Sequence, residues 1–163
     1  MKPNSAETES LRTWGRGRAV RLDADLYAMD LPIHLTICAL TGNPFEKDSL
    51  AQMTCTAIER TCTNLRYSLF AYCLMPDHLH VLLSPTESEV PIAEFLRRFK
   101  SYTTRQYQNA TGIKRLWQYS ARDSIVWKRE KIRTLVTYIA NNPVRAELVE
   151  RWVDWPYTKV FVE

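Results

Sequence analysis

The order of strand-like and helix-like segments in this 163-residue chain predicts one α+β domain: an antiparallel sheet of split β-α-β order with helices packed on one face. Three observations predict it. The stretches 33–40, 65–74 and 78–84 are rich in β-branched and apolar residues and are bounded by turn formers. Only Met75, Pro76 and Asp77 separate the second from the third, the length of a hairpin connection, and Pro76 suits a turn because it cannot donate to a ladder. Two further stretches carry apolar residues at helical period.

Taken in order, residues 1–30 form a polar, basic arm, 31–150 the domain and 151–163 a tail. The first strand, IHLTICAL, ends at Thr41, Gly42, Asn43 and Pro44. A helix then runs over about 46–62, with Leu50, Met53, Thr54, Ala57 and Ile58 on its buried stripe and Asp48 or Ser49 at its start. After the hairpin, a second helix spans 89–109 on a stripe of Ile92, Phe95, Leu96, Phe99, Tyr102 and Thr103, and Gly112 breaks it. Residues 124–127 offer a fourth strand. A third helix, 130–140, stops at Asn141, Asn142 and Pro143, and Pro143 opens a short helical turn.

Composition narrows the class. At 45% hydrophobic and 25% charged the chain reads as an ordinary soluble globular protein. No apolar run approaches the roughly 18 to 20 residues needed to cross a bilayer. The first residues lack the apolar centre of a secretory signal, so the cytoplasm is the expected compartment. Cys38, Cys55, Cys62 and Cys73 match neither a zinc knuckle nor a redox pair, and are expected to be reduced and mostly buried.

Charge is unevenly spread. Residues 22–96 carry three basic and ten acidic groups, whereas residues 97–133 carry eleven basic and two acidic groups. Concentrating a net +9 into 37 residues focuses positive potential on one part of the fold, as a nucleic-acid partner requires, although a solvated helix face also produces such a run. Arg97, Arg98, Lys100, Arg105, Lys114, Arg115 and Arg122 are the candidate DNA-binding residues. In the arm, Arg12, Arg16, Arg18 and Arg21 rest on charge alone.

Two of the three histidines, His78 and His80, are two apart on the third strand, so alternation puts both imidazoles on one face. Such a pair is half of a metal site or a polar strand face. Tyr102 and Gln106 are four apart and share a face of the second helix. Gln106 offers an amide oxygen as third ligand, and Tyr102 a phenol beside the metal. Tyr102 also lies on the apolar stripe, where a tyrosine can simply pack, and Tyr107 is a rival that points elsewhere. A tyrosine with a divalent cation suits phosphodiester chemistry: the phenol, with an ordinary pKa of about 10, is a weak nucleophile until the phosphate is polarised. Two imidazoles and one amide leave open positions around Mg2+ or Mn2+.

The segments MPDHLHVLL, FKSYTTRQY, Leu116-Trp117 and YIANNPVRAELV, taken together, resemble the single-tyrosine HUH transposases, and within them the REP-associated tyrosine transposase branch. HUH denotes histidine, hydrophobic residue, histidine: here His78, Leu79 and His80. The likeness runs from about Pro32 to Val149 and includes a closing pattern of Tyr138, Ile139, Asn142, Pro143, Val144, Arg145 and Ala146. The resemblance implies a ferredoxin-like domain that cuts and rejoins single-stranded DNA through a 5′-phosphotyrosine near a hairpin. It matches Tyr102 to the nucleophile and Gln106 to a metal ligand. Many such proteins are homodimers, while this branch can be monomeric. His34 matches a first-strand histidine that either approaches the active site or packs. Two other classes stay open: a non-cleaving DNA- or RNA-binding domain on the same fold, and a metal-dependent hydrolase that uses water.

Overall fold

The computed structural model describes residues 30–161; the expected N-terminal arm falls outside them, apart from Asp30. Five strands form one antiparallel sheet: β1 (Ile33–Cys38), β2 (Ser68–Leu74), β3 (His78–Ser84), β4 (Arg122–Ile125) and β5 (Thr158–Val160). Their order is β4-β1-β3-β2-β5. The α+β class and the β2–β3 hairpin are as expected. Within the segment expected to be a tail, residues 158–160 instead join the sheet, because β5 pairs Val160, Thr158 and Lys159 with Ala71, Cys73 and Tyr72. Three residues of edge strand are too short to announce themselves by periodicity.

Two helices cover the first face of the sheet. α1 (Asp48–Leu65) and α2 (Ile92–Thr111) share one apolar core with the side chains that β1 and β3 turn the same way: Ile33, Leu35, Ile37, Leu79, Val81 and Leu83. Each helix ends on a left-handed residue, α1 at Arg66 (φ 60°) and α2 at Gly112 (φ 76°), whose backbone N–H groups satisfy the last helical carbonyls. The connection before β4 is tied to the end of β1, with Leu40 N–H donating to Leu116 O and Gln118 N–H to Cys38 O. Trp117 belongs to the first core, with its indole N–H donating to Thr103 Oγ1 at 2.8 Å. It is therefore not free to stack on a base.

The second face carries the alternate side chains. A third helix, α3 (Glu130–Ala140), lies on it, packing Ile132, Val136 and Ile139 over Ala71, Cys73 and Leu82. α4 (Asn142–Arg145) follows directly. Helices therefore flank both faces, and α3 covers the β2 side of the second face. All four cysteines are free thiols; burial pushes Cys55 and Cys62 up to about 12. Among the described residues no helix is long and apolar enough to cross a membrane.

Candidate active site

Strand register gathers all three histidines. His34 and Thr36 on β1 stand opposite Leu82 and His80 on β3, and β4 adds Arg122 opposite Thr36. Directly paired antiparallel residues project to the same side, so His34, Thr36, His78, His80 and Arg122 share the second face. The Nε2 atoms of His78 and His80 lie 3.2 Å apart. Their other ring nitrogens are engaged: His78 Nδ1 with Asp77 Oδ1 at 2.6 Å, and His80 Nδ1 with Thr36 Oγ1 at 3.1 Å and His34 Nε2 at 3.2 Å.

That arrangement matches imidazoles that hold a metal, where one nitrogen faces the ion while a carboxylate or hydroxyl orients the other. Protonation favours it as well. Burial, with the charges of His34, His78, Arg122 and Arg145, pushes His80 down to about 3, and burial pushes His34 down to about 4. Both rings are neutral at physiological pH, the form in which imidazole donates to a cation. Asp77 turns its carboxylate to His78. Among the described residues no group of three or more histidine, cysteine or acidic side chains could hold a metal. Among the described residues, the side chains left that could add a third ligand to the two imidazoles are amides and hydroxyls.

The expected amide and phenol are elsewhere. Tyr102 and Gln106 belong to α2, whose Phe95, Leu96 and Phe99 pack on the first face, so the sheet stands between them and the histidines. The helical spacing of Tyr102 and Gln106 is real. What the sequence lacked was the side of the sheet to which each helix docks. Tyr107 is a buried part of the first core.

The aromatic residue that meets the histidines is Tyr138 of α3. Its ring stands edge-on to His80 and His34, with centroids 6.3 and 6.5 Å away, and the guanidinium of Arg145 lies 4.6 Å above it. Tyr138 is 42% exposed. Asn142 follows one helical turn later. Its amide nitrogen donates back to the carbonyls of Tyr138 and Ile139, so its oxygen is available as an acceptor. The spacing that singled out Tyr102 and Gln106, a tyrosine and an amide four apart, recurs at Tyr138 and Asn142 and could have been read from sequence.

The basic candidates separate in the same way. Arg122 lies on the histidine face. Arg97 and Arg98 are both paired with Glu94, and Lys100 donates to Gln118 O and Tyr119 O at 2.9 and 3.0 Å, fastening the connection before β4. Arg105, Lys114 and Arg115 line a groove beside α2. Arg145 was not singled out as a basic candidate, because it lies beyond the charge-rich segment.

Comparison with known proteins agrees with this architecture. Residues 27–142 match the family model described as "Transposase IS200 like". A REP-associated tyrosine transposase of Escherichia coli K12 is 26% identical over 107 residues, covering 66% of this chain and 62% of that protein. A second relative, from Haemophilus influenzae, is assigned to the same class and is 28% identical over 113 residues, covering 63% of this chain and 64% of its own length. The match thus spans under two-thirds of either relative. The solved structure of a REP-associated tyrosine transposase bound to a REP hairpin superposes with a TM-score of 0.66 at 21% identity, covering 81% of this chain and 78% of that one, a likeness of fold. On the extent of the family match, the chain belongs to the IS200-like transposases.

Proposed function

We propose that the chain cuts and rejoins single-stranded DNA on the second sheet face, with Tyr138 as the nucleophile. The observation that carries this reading is the convergence of Tyr138, His78, His80 and Arg145 on one side of the sheet. Phosphodiester transfer requires a nucleophile, a means of gathering charge on the phosphate and a geometry that holds both.

In this reading the Tyr138 oxygen attacks a backbone phosphorus. A phosphorus–oxygen bond to tyrosine forms as the bond to the 3′ oxygen breaks. The phenolic proton passes to water and the departing 3′ oxygen takes one up, leaving a 5′-phosphotyrosine and a free 3′ hydroxyl. Attack of a 3′ hydroxyl on the phosphotyrosine reverses the step and joins a strand. Arg145 and Arg122 supply charge-assisted hydrogen bonds to the phosphate oxygens. His78 and His80, with the Asn142 amide oxygen, would hold Mg2+ or Mn2+, which when bound polarises the phosphate and offsets its developing charge. The similarity to a hairpin-bound transposase favours a folded single strand as substrate.

The test uses 3′-labelled DNA carrying a hairpin from the sequence flanking the gene, with Mn2+, and looks for a covalent protein–DNA band. Tyr138→Phe is expected to remove the band, and Tyr102→Phe to leave it. A band that survives Tyr138→Phe refutes the assignment. Cleavage that survives it without an adduct identifies water as the nucleophile. Chelator-insensitive binding with no cleavage by the unmodified protein identifies a non-cutting binding domain.

A further inference from the structure

Arg122 reaches the histidine face from the start of β4, and the backbone that delivers it is not regular strand. Ala39 is bridged to Trp117, and Thr36 is paired with Arg122. Thr36 to Ala39 is three residues along β1, whereas Trp117 to Arg122 is five. The connection therefore carries two extra residues between its two points of pairing. Interruptions of this kind let a strand re-aim a side chain beside a site.

Looped-out backbone must find partners for its polar groups outside the ladder. Here they come from α2. Lys100 Nζ donates to Gln118 O at 2.9 Å and to Tyr119 O at 3.0 Å. Ser120 and Ala121 separate Tyr119 from Arg122, and Ala121 is buried in the first core, so the link is short and stiff. The Cys38 thiol feels the charges of both Lys100 and Arg122, which puts the two cations at one end of β1.

Lys100 also stands apart from the other basic candidates in its surroundings. It is half-buried, and burial pulls its ammonium down to about 8. Cys38 faces it from β1, Arg97 borders it on α2, and Lys114, Arg115 and Tyr119 border the same groove from the connection. No carboxylate lines that groove, and burial raises the Cys38 thiol, so the two carbonyls are what the ammonium charge meets. They occupy two of its three N–H donors.

We infer that Lys100 is a positioning residue: by holding the carbonyls of Gln118 and Tyr119 it sets Arg122 beside His80, where Arg122 meets the phosphate of a single strand. The inference rests on the proposed cutting face for what Arg122 does, and on the contacts above for what sets it there. It reassigns Lys100 from a DNA contact to a clasp on the protein's own backbone. A charged donor makes a bond roughly twice as strong as a neutral one, so the clasp is firm below about pH 8 and slackens above it.

The experiment is a double-substitution cycle on the full chain, read by fluorescence anisotropy of a labelled, unstructured oligonucleotide at one salt concentration. At pH 7 Arg122→Ala should lose on the order of ten- to a hundred-fold in affinity, the range of a charged hydrogen bond. Lys100→Met keeps the apolar stem, removes the clasp and should lose most of the same factor. In the Lys100→Met protein, Arg122→Ala should then cost no more than about three-fold further. Full, independent losses overturn the inference and make Lys100 a phosphate contact in its own right. A second measurement leaves Lys100 in place. Between pH 7 and about pH 9 the cost of Arg122→Ala should shrink by at least about three-fold, as the clasp loses its charge. A cost that stays constant over that range overturns the inference. So does equal affinity of Arg122→Ala and the unmodified protein at pH 7, since there is then nothing to position. The cutting reaction reads separately, from the Tyr138-dependent band: coupling without a band sinks the reaction and keeps the clasp, and a band without coupling does the reverse.

Discussion

Acid should destabilise this fold through the histidine face, and His34→Gln should remove a measurable share of that effect. In the unfolded chain His34 titrates near its usual 6.5, whereas in the fold burial holds it down at about 4. Between those values the unfolded chain binds more protons, so stability rises with pH. The contribution is complete above 6.5 and is lost as pH falls toward 4. At pH 4.5 the loss attributable to His34 is about 2.5 kcal/mol, since a tenfold difference in proton affinity between the folded and unfolded chain is worth about 1.4 kcal/mol. His80, held near 3, loses a similar amount over the same window. Other groups also titrate there, but they are common to both proteins. Urea unfolding at pH 7 and pH 4.5 isolates the His34 share by difference: the stability drop in His34→Gln should be smaller by about 2.5 kcal/mol. Equal drops in the two proteins, within about 0.5 kcal/mol, would refute the claim that the fold holds His34 neutral at a cost.

Two stability predictions follow from single contacts, and both are read from thermal melts. Gly112 closes α2 at φ 76°, and a Cβ there would meet nothing within 4 Å, so Gly112→Ala carries backbone strain alone and should cost about 1 kcal/mol, or roughly 2 to 4 °C. Trp117→Phe removes the buried donor to Thr103 Oγ1 and should cost about 1 to 3 kcal/mol; a smaller loss would show that water or a shifted Thr103 replaces the bond.

Much of the frame was legible because it depends on local signals. The apolar strands, the three-residue hairpin, the glycine after α2 and the asparagine–proline stop after α3 each declare a boundary within a few residues. The pair His78 and His80 was legible for the same reason, since strand alternation alone puts both rings on one face. What the sequence could not supply was the side of the sheet on which each helix docks. α2 and α3 are both amphipathic, and each carries a tyrosine with an amide four residues later: Gln106 after Tyr102 within α2, and Asn142, at the start of α4, after Tyr138. The basic segment drew attention to α2. Its stripe of Phe95, Leu96 and Phe99 instead commits it to the face with Leu79 and Val81, behind the histidines. β5 was missed because its pairing with β2 is long-range and only three residues long.

The hydrogen-bond partners along the histidine row define what each ring would have to do to hold the proposed cation. Asp77 is an acceptor, so the proton of neutral His78 sits on Nδ1 and its Nε2 presents a lone pair. With both Nε2 atoms 3.2 Å apart, His80 must then carry its proton on Nε2 to avoid opposing lone pairs, leaving its Nδ1 to accept from Thr36 or His34. For His80 to offer its Nε2 lone pair as a ligand alongside His78, it would have to adopt the other tautomer, with Nδ1–H donating. The Thr36 hydroxyl can serve both forms, because it rotates between donor and acceptor. Nitrogen-15 NMR of the His80 ring should therefore show the proton moving from Nε2 to Nδ1 as a diamagnetic ion such as Mg2+ or Zn2+ is titrated in, while His78 keeps its tautomer. Asp77→Asn should release that constraint on His78 and weaken ion binding on the order of 10- to 100-fold, measured by calorimetry. An unchanged His80 tautomer at saturation would remove His80 from the proposed ligand set.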